Sequence, residues 1–390
     1  RGDHIVPNMQ CRRLIVCILT ILLGIFPAAF CAAAEQNGGD MSEEWFSVDY
    51  TDIEEELDSL FEKDVSFEEL VRRLTSGEVS FDWEFVKQLL RTTLLEPFAN
   101  AKDVFLQILL IAAISAVFTI SVSVFGSDQA SDVSFYVVFL LLVVLLARSF
   151  MEAGAILETA VTNVLEFCRV VMPTYMLVVA MAGGASTAVV FYEFFLFLAF
   201  AVEWLILHIL LPMIYIYVVM GMINQLSKED LFSKMADLIK TLISWSLKTI
   251  LGLVIGFQII QGLLTPFIDR FKSASIHKAL QAIPGVGGAM GGATELVIGS
   301  GILIKNGIGT AALLFLSAIC IVPLAMLALY AIVYQLSRAL MQPIADERIG
   351  KCVECVQEGS WLLVRTMLVT GVLFFLTIAV LTASTNGGMS

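Results

Sequence analysis

The residues of this chain that could do chemistry are charged side chains placed inside long apolar runs. The candidates are Glu166, Arg169, Glu193, Glu203, His208, Glu295, Lys305 and Arg365. A charge at membrane depth needs a partner or water, so such residues mark ion pathways or salt bridges between helices. Their positions make them the first candidates for a functional site.

Local spacing predicts a partner for only some of these charges. Glu166 and Arg169 are three residues apart, so they can pair on one face of a helix. Glu193, Glu203 and Glu295 have no cation close in sequence, which leaves a pathway role and an interhelical salt bridge equally open. His208 lies near an expected hinge, where packing or a membrane-interface position is a better interpretation than a proton relay.

Patterns typical of intramembrane enzymes are missing from the sequence. It contains no His-Glu-x-x-His, no pair of aspartates within an apolar run and no Gly-x-Ser-x-Gly. The pair Cys352 and Cys355 has no second pair and no nearby histidine, so two ordinary thiols are favoured over a zinc or redox site. We therefore predict no enzyme activity, no cofactor and no metal.

A glycine-rich segment at 283–307 is the most unusual local sequence. Its candidate residues are Pro284, Gly287, Gly288, Gly291, Gly292 and Glu295, followed by Lys305 and Asn306. The glycine spacing is typical of helices that pack closely in lipid, and it also suits a re-entrant or pore-lining element. Nucleotide binding is disfavoured, because no Gly-Lys-Ser/Thr follows and no strand precedes.

Apolar runs dominate the rest of the chain. They are Val104–Phe125, Val133–Ala147, Val170–Ala182, Thr187–Ile223, Leu247–Phe267, Gly307–Leu336 and Trp361–Ala383. A helix crosses the hydrocarbon core with about 20 residues, and 58% of the chain is hydrophobic. The fold class is therefore all-α, a polytopic membrane protein with seven or eight membrane helices. The run 187–223 is expected to cross twice.

Residues 227–248 have a different pattern. Apolar side chains from Leu231 to Ile243 recur at helical spacing and form one stripe, whereas Lys234, Asp237 and Lys240 occupy the other face. The pattern predicts an amphipathic helix. It lies either in the membrane interface or against the core of the protein itself.

The chain divides into four parts by composition. Residues 1–34 are predicted to be a signal peptide, cleaved after Ala34 in preference to staying as an anchor, with residues 1–8 as an upstream extension. Residues 35–101 form an acidic helical segment, called the leader below, in which Ser66 and Glu69 make a capping box. Residues 102–384 form the membrane domain, and 385–390 are a short tail.

Charge gives an expected orientation. The net charge is −13, and residues 35–97 carry 18 acids against 5 bases, so the leader accounts for all of it. A cleaved signal places the leader outside the cytoplasm. Lys228 to Lys248 then lie inside after five crossings, as the positive-inside rule prefers. Nothing resembles the basic stripe of a nucleic-acid binder.

The order of these features resembles the stage III sporulation protein AE family of endospore-forming Firmicutes. The resemblance covers most of residues 66–384. It lies in Gly77-Glu-Val-Ser-Phe81, Pro173 followed by Ala182-Gly-Gly-Ala-Ser186, Ile283-Pro-x-x-Gly287, Leu303-Ile-Lys-Asn-x-x-Gly309 and Gln342-Pro343. The Gly287–Gly292 run and the Cys352/Cys355 pair depart from the expected pattern.

The resemblance implies a function that the residues alone do not. A member of this family is expected in the mother-cell membrane around the forespore, within a multiprotein channel or secretion complex. That complex supports forespore development after engulfment. The implied partners are the other membrane proteins of the complex, with no catalytic residues. The competing hypothesis from the residues is a stand-alone secondary transporter that uses Glu193, Glu203 and Glu295 as coupling carboxylates.

Overall fold

A computed structural model describes the backbone of residues 49–60, 66–76, 106–107, 110, 128–181, 185–226, 232–281, 287–342 and 347–384. Side chains are described for most of these residues, but not for 128–135, 185–187, 261–300 or 383–384. The expected signal peptide, Pro284 and nearly all of the run Val104–Phe125 lie outside the described residues.

Every regular element in the described part of the chain is helical, which confirms the all-α fold class. The elements are α1 Thr51–Leu60, α2 Phe67–Ser76, α3 Asp128–Val179, α4 Ala185–Leu205, a π turn Ile206–Leu210, α5 Leu211–Leu226, α6 Ser233–Gln281, α7 Gly287–Met341 and α8 Glu347–Ser384. Pro173 and Pro323 lie inside α3 and α7 without ending them. Neighbouring helices in a membrane bundle can satisfy the carbonyl groups that a proline leaves unbonded.

Five of the described helices are long and apolar enough to cross a membrane. They are Tyr136–Val179, Ala188–Leu226, Ser233–Ile260, Gly301–Met341 and Glu347–Thr382. The polytopic membrane class is thereby supported, whereas seven or eight crossings and a re-entrant segment are not confirmed.

The five are counted among the described residues alone, which leave out nearly all of the run Val104–Phe125. Within the described part, helical geometry continues through charged stretches that separate the apolar runs. The run Val133–Ala147 and residues 170–179 of the next run belong to one helix, α3. Residues 185–226 are likewise helical throughout, with a π turn at the expected hinge. The amphipathic residues 233–248 form the first part of the long helix α6. Of their apolar stripe, Ile243 is buried, whereas Leu238 and Leu242 are exposed.

Helix α8 lies at the centre of the bundle and contacts α3, α5, α6 and α7. Two contacts fix the direction of α7: Arg338 pairs with Glu354 near the start of α8, and Gly309 packs on Thr382 near its end. The two helices are therefore antiparallel.

Helix α6 runs parallel to α8. Lys240 pairs with Glu358, and the Gln258 amide donates to the hydroxyl of Thr377 at 2.6 Å. The start of α6, the end of α7 and the start of α8 therefore meet at one end of the bundle. We call it the lysine end, because it carries Lys234, Lys240, Arg338, Arg348 and Lys351.

The leader helices α1 and α2 pack on the opposite half of the bundle, against α3 and α7. The ring of Phe67 is fully buried, 5.8 Å from the ring of Tyr50 and 5.7 Å from that of Phe315. Phe315 also contacts Phe167 of α3. A short acidic segment with little core of its own is thus stabilised by the membrane domain.

Ser66 caps α2, but its partner differs from the expected box. The Ser66 hydroxyl accepts from the Glu69 amide at 3.3 Å and donates to the Glu54 carboxylate at 2.7 Å. Glu54 also accepts from the Glu68 amide at 2.9 Å. Glu69 instead pairs with Arg73. A residue of α1 therefore completes the cap of α2 and joins the two helices.

Replacing Glu54 with alanine should loosen α2, because the change removes the acceptor for two hydrogen bonds at the helix start. We expect a loss of about 1 kcal/mol in local stability, seen as faster amide hydrogen exchange in α2. Glu55→Ala is the matched control, since Glu55 is exposed. Equal exchange rates in both variants would contradict this role for Glu54.

Candidate functional site

Three membrane helices meet at a charged cluster near the lysine end. One carboxylate oxygen of Glu358 on α8 accepts from the Lys240 ammonium of α6 at 2.8 Å. The same oxygen accepts from the hydroxyl of Tyr217 on α5. The Lys240 ammonium also lies 5.9 Å from the centre of the Tyr217 ring, within cation–π range. All three side chains are partly or fully removed from solvent, which strengthens their attraction.

A second ion pair lies one turn away on α8. Arg338 at the end of α7 donates to Glu354 at 2.8 Å, so the cluster links α5, α6, α7 and α8. Cys355 lies between the two carboxylates in sequence, and its sulfur packs on Gly221 of α5. Cys352 is buried and both thiols are free. No group of three potential metal ligands occurs among the described residues.

The predicted pairing of Glu166 with Arg169 is wrong. The Arg169 guanidinium donates instead to Glu203 on α4, so the pair joins two helices. The prediction from local spacing failed because a long arginine side chain can reach a neighbouring helix as easily as the next turn of its own helix. For Glu203, the structure therefore favours the salt bridge over the pathway role.

The other predicted charges occupy separate places. Glu193 and His208 are exposed on α4 and in the π turn. Arg365 is half-buried on α8, with one guanidinium nitrogen 3.5 Å from the Ser244 hydroxyl. Glu166 is exposed on α3. These side chains do not form one site.

The residues of the glycine-rich segment are only partly described. Gly287, Gly288, Gly291, Gly292 and Glu295 belong to the helical backbone of α7, and the burial of these residues is outside the described part of the structure. Lys305 is only 1% exposed and Asn306 is half-buried. Gly307 packs on Thr75 of α2, so this part of α7 contacts the leader.

Outside the membrane helices, α1 contributes one perturbed carboxyl. Partial burial raises the pKa of Glu56, and the charge of Glu166 on α3 raises it further. Two carboxyl groups from different elements are therefore close together on the leader side of the bundle.

Sequence reasoning missed most of the polar contacts. The sequence did not predict that Tyr217, Lys240 and Glu358 contact one another, or that Gln258 contacts Thr377. The hydroxyls of Ser149 and Tyr334, 185 residues apart in sequence, also bond to each other. The available signal was a polar side chain inside an apolar helix, which marks a contact but does not say with which helix.

Separate and combined removal of Arg169 and Glu203 should reveal their coupling. Each of Arg169→Gln and Glu203→Gln leaves one charge in an apolar setting, whereas the double variant leaves none. We expect the double variant to lose less stability than the two single variants lose together, by about 1 kcal/mol. Thermal unfolding in detergent measures the three losses. Strict additivity would show that the two side chains do not interact. Glu193→Gln serves as the control for loss of an exposed carboxylate.

Comparisons with known proteins point to one family. The sequence model described as "Stage III sporulation protein AE (spore_III_AE)" matches residues 65–385. The curated protein "Stage III sporulation protein AE" of Bacillus subtilis (strain 168) is 23% identical over 314 residues, covering 80% of this chain and 78% of that protein. No solved structure matches.

Proposed function

The chain belongs to the stage III sporulation protein AE family, and from that premise we propose that it is a non-catalytic membrane component of the mother-cell sporulation channel or secretion complex. In this role it supports forespore development after engulfment. This proposal rests mainly on the extent of the family match, which includes α2 and all five candidate membrane helices.

The polar contacts support a scaffold. The charged cluster and the Arg169–Glu203 pair each join different helices, as expected of side chains that hold a bundle together. The leader packs on the same bundle and leaves its acidic side exposed, where partner proteins can reach it. A protein that braces or lines a passage needs such fixed geometry.

We propose the following topology. The leader faces the space between mother cell and forespore, and the lysine end faces the mother-cell cytoplasm. This orientation places Lys234, Lys240, Arg338, Arg348 and Lys351 inside, as the positive-inside rule prefers. The run Val104–Phe125 adds a further crossing, and the glycine-rich segment packs closely or lines the passage.

Cysteine accessibility mapping across 226–360 tests this topology. In cells that carry the protein in the plasma membrane without sporulating, single cysteines near Lys234 and Arg348 should react with a membrane-impermeant maleimide only after that membrane is opened. A cysteine at Asp58 should react without that step. Reaction of both groups under the same condition would overturn the topology.

Co-purification tests the proposed function. Tagged protein, extracted in mild detergent from sporulating cells, should retain other membrane proteins encoded for the same sporulation stage, and its deletion should abolish heat-resistant spores. Normal spore counts after deletion would overturn the proposal. Solute uptake by the purified protein in liposomes, abolished by Glu295→Gln, would instead favour a stand-alone transporter.

A further inference from the structure

The exposed face of α3 changes character along the helix. Near the start it is apolar, with Val137, Leu141 and Val144 exposed, and near the end Pro173 and Leu177 are exposed. Between these parts its exposed or half-exposed residues are Arg148, Met151, Glu152, Ala155, Ile156, Glu158, Thr159, Thr162, Asn163, Glu166 and Arg169. We call this stretch the polar face. At 1.5 Å per residue it is about 30 Å long, the thickness of a hydrocarbon core.

The polar face lies beside an apolar part of α7. The hydroxyls of Ser149 and Tyr334 bond to each other, and the ring of Phe167 contacts that of Phe315. Helix α3 is therefore antiparallel to α7 and lies beside residues 315–334. That part of α7 contains no ionisable side chain other than its tyrosines and Cys320. The same level of the bundle thus holds apolar residues on α7 and carboxylates on α3, and both helices contain candidate membrane spans.

Two carboxylates of the polar face have no cation in the described structure. Arg148 pairs with Glu152 at 3.7 Å, and Arg169 pairs with Glu203. Glu158 and Glu166 are exposed, and neither forms an ion pair within the described residues. Glu158 lies in the middle of the polar face, whereas Glu166 lies at its leader side. A charge that faces lipid at the bilayer centre costs at least about 3 kcal/mol, so Glu158 above all requires a polar neighbour.

We propose that the polar face binds a membrane helix of another protein that carries two basic side chains about two turns apart. Glu158 and Glu166 are eight residues apart, which is about 12 Å along α3. Ala155, Thr159 and Thr162 are small and lie on the same side, so a second helix can approach closely. The inference rests on the proposed function, because it assigns a surface to one partner of the complex.

Charge complementarity selects this occupant. A second copy of the chain would bring the same two carboxylates to the interface and repel the first. Burial raises the pKa of Glu56 on α1, and the nearby charge of Glu166 raises it further, so Glu56 adds a third carboxyl group at the leader side. A lysine or arginine opposite each exposed carboxylate lowers the cost of burying both partners.

The test uses the full chain in membranes of sporulating cells, with a photo-crosslinking benzoylphenylalanine in place of Thr159. Mass spectrometry of the adduct should identify a membrane segment of another protein with two Lys or Arg residues seven or eight positions apart. Glu158→Lys combined with Glu166→Lys should lower the adduct yield by about tenfold or more. Changing the two mapped basic residues to glutamate should then restore it. Glu193→Lys and a crosslinker at Leu141 are the matched controls.

Several results would overturn this interface. They are an adduct between two copies of this chain, an adduct whose partner segment has no basic residue, and rapid labelling of Glu158→Cys by a water-soluble maleimide. Absence of any adduct in a strain that forms normal spores would count equally against it, while leaving the proposed function intact. The proposed function itself is tested separately, by spore counts after deletion of the whole protein.

Discussion

Replacing Phe67 with alanine should release the leader helices from the membrane bundle. The ring of Phe67 is fully buried and touches Tyr50 of the leader and Phe315 of α7. Truncation of a buried phenylalanine costs about 3–5 kcal/mol, through lost burial and the cavity left behind. The remaining buried side chains of the leader, such as Ile53, Leu57 and Val71, are smaller and do not fill that cavity. We expect protease cleavage between α1 and α2 to accelerate strongly in the purified full-length protein.

Phe197→Ala is the matched control for that experiment. The same side chain is lost, but Phe197 is 68% exposed on α4, so no cavity forms. Its leader should remain as protected as that of the unmodified protein. Equal protection in Phe67→Ala would show that the leader does not depend on this ring, and so would contradict the docking.

Replacing Gly359 with leucine should separate α8 from its neighbours. A Cβ atom at Gly359 would overlap the side chain of Val218 on α5 and lie 3.0 Å from the ring of Phe150 on α3. Overpacking typically costs about 1–3 kcal/mol, and more where backbones must move apart. Because Glu358 is the adjacent residue, the contact between Glu358, Lys240 and Tyr217 should weaken as well. We expect a lower unfolding temperature in detergent.

Gly350→Leu provides the comparison on the same helix. No atom lies within 4 Å of a Cβ built at Gly350, so a side chain there has room. Leucine also has a higher helix propensity than glycine, and we expect equal or greater stability. Two variants that unfold at the same temperature would contradict the close packing at Gly359.

Some elements could be predicted from the sequence because they depend on local composition. The helices α2 and α8 occur where helical spacing and an apolar run placed them, and Ser66 caps α2 as expected. The number of membrane helices could not be predicted from local composition, because a charged stretch does not always end a helix. Residues 148–169 break the apolar pattern of α3 without breaking its backbone, since Glu, Arg, Ala and Leu all favour helix.

The candidate site was less accessible to prediction. Glu203 and Arg169 were identified as candidates, but not as partners, because they are 34 residues apart in sequence. Glu358, Lys240 and Tyr217 were not identified together for the same reason. Side-chain types mark residues that need partners, whereas the choice of partner depends on which helices pack together.

By itself, the sequence determined that this chain is a helical membrane protein with an acidic leader. Bilayer thickness and backbone hydrogen bonding leave an apolar run of about 20 residues few alternatives to a helix. Only the tertiary structure decided which helix is central, where the leader docks and which charges meet. Those features depend on the antiparallel packing of α7 and α8 and on the exposed side of α3. They arise from contacts between residues far apart in the chain.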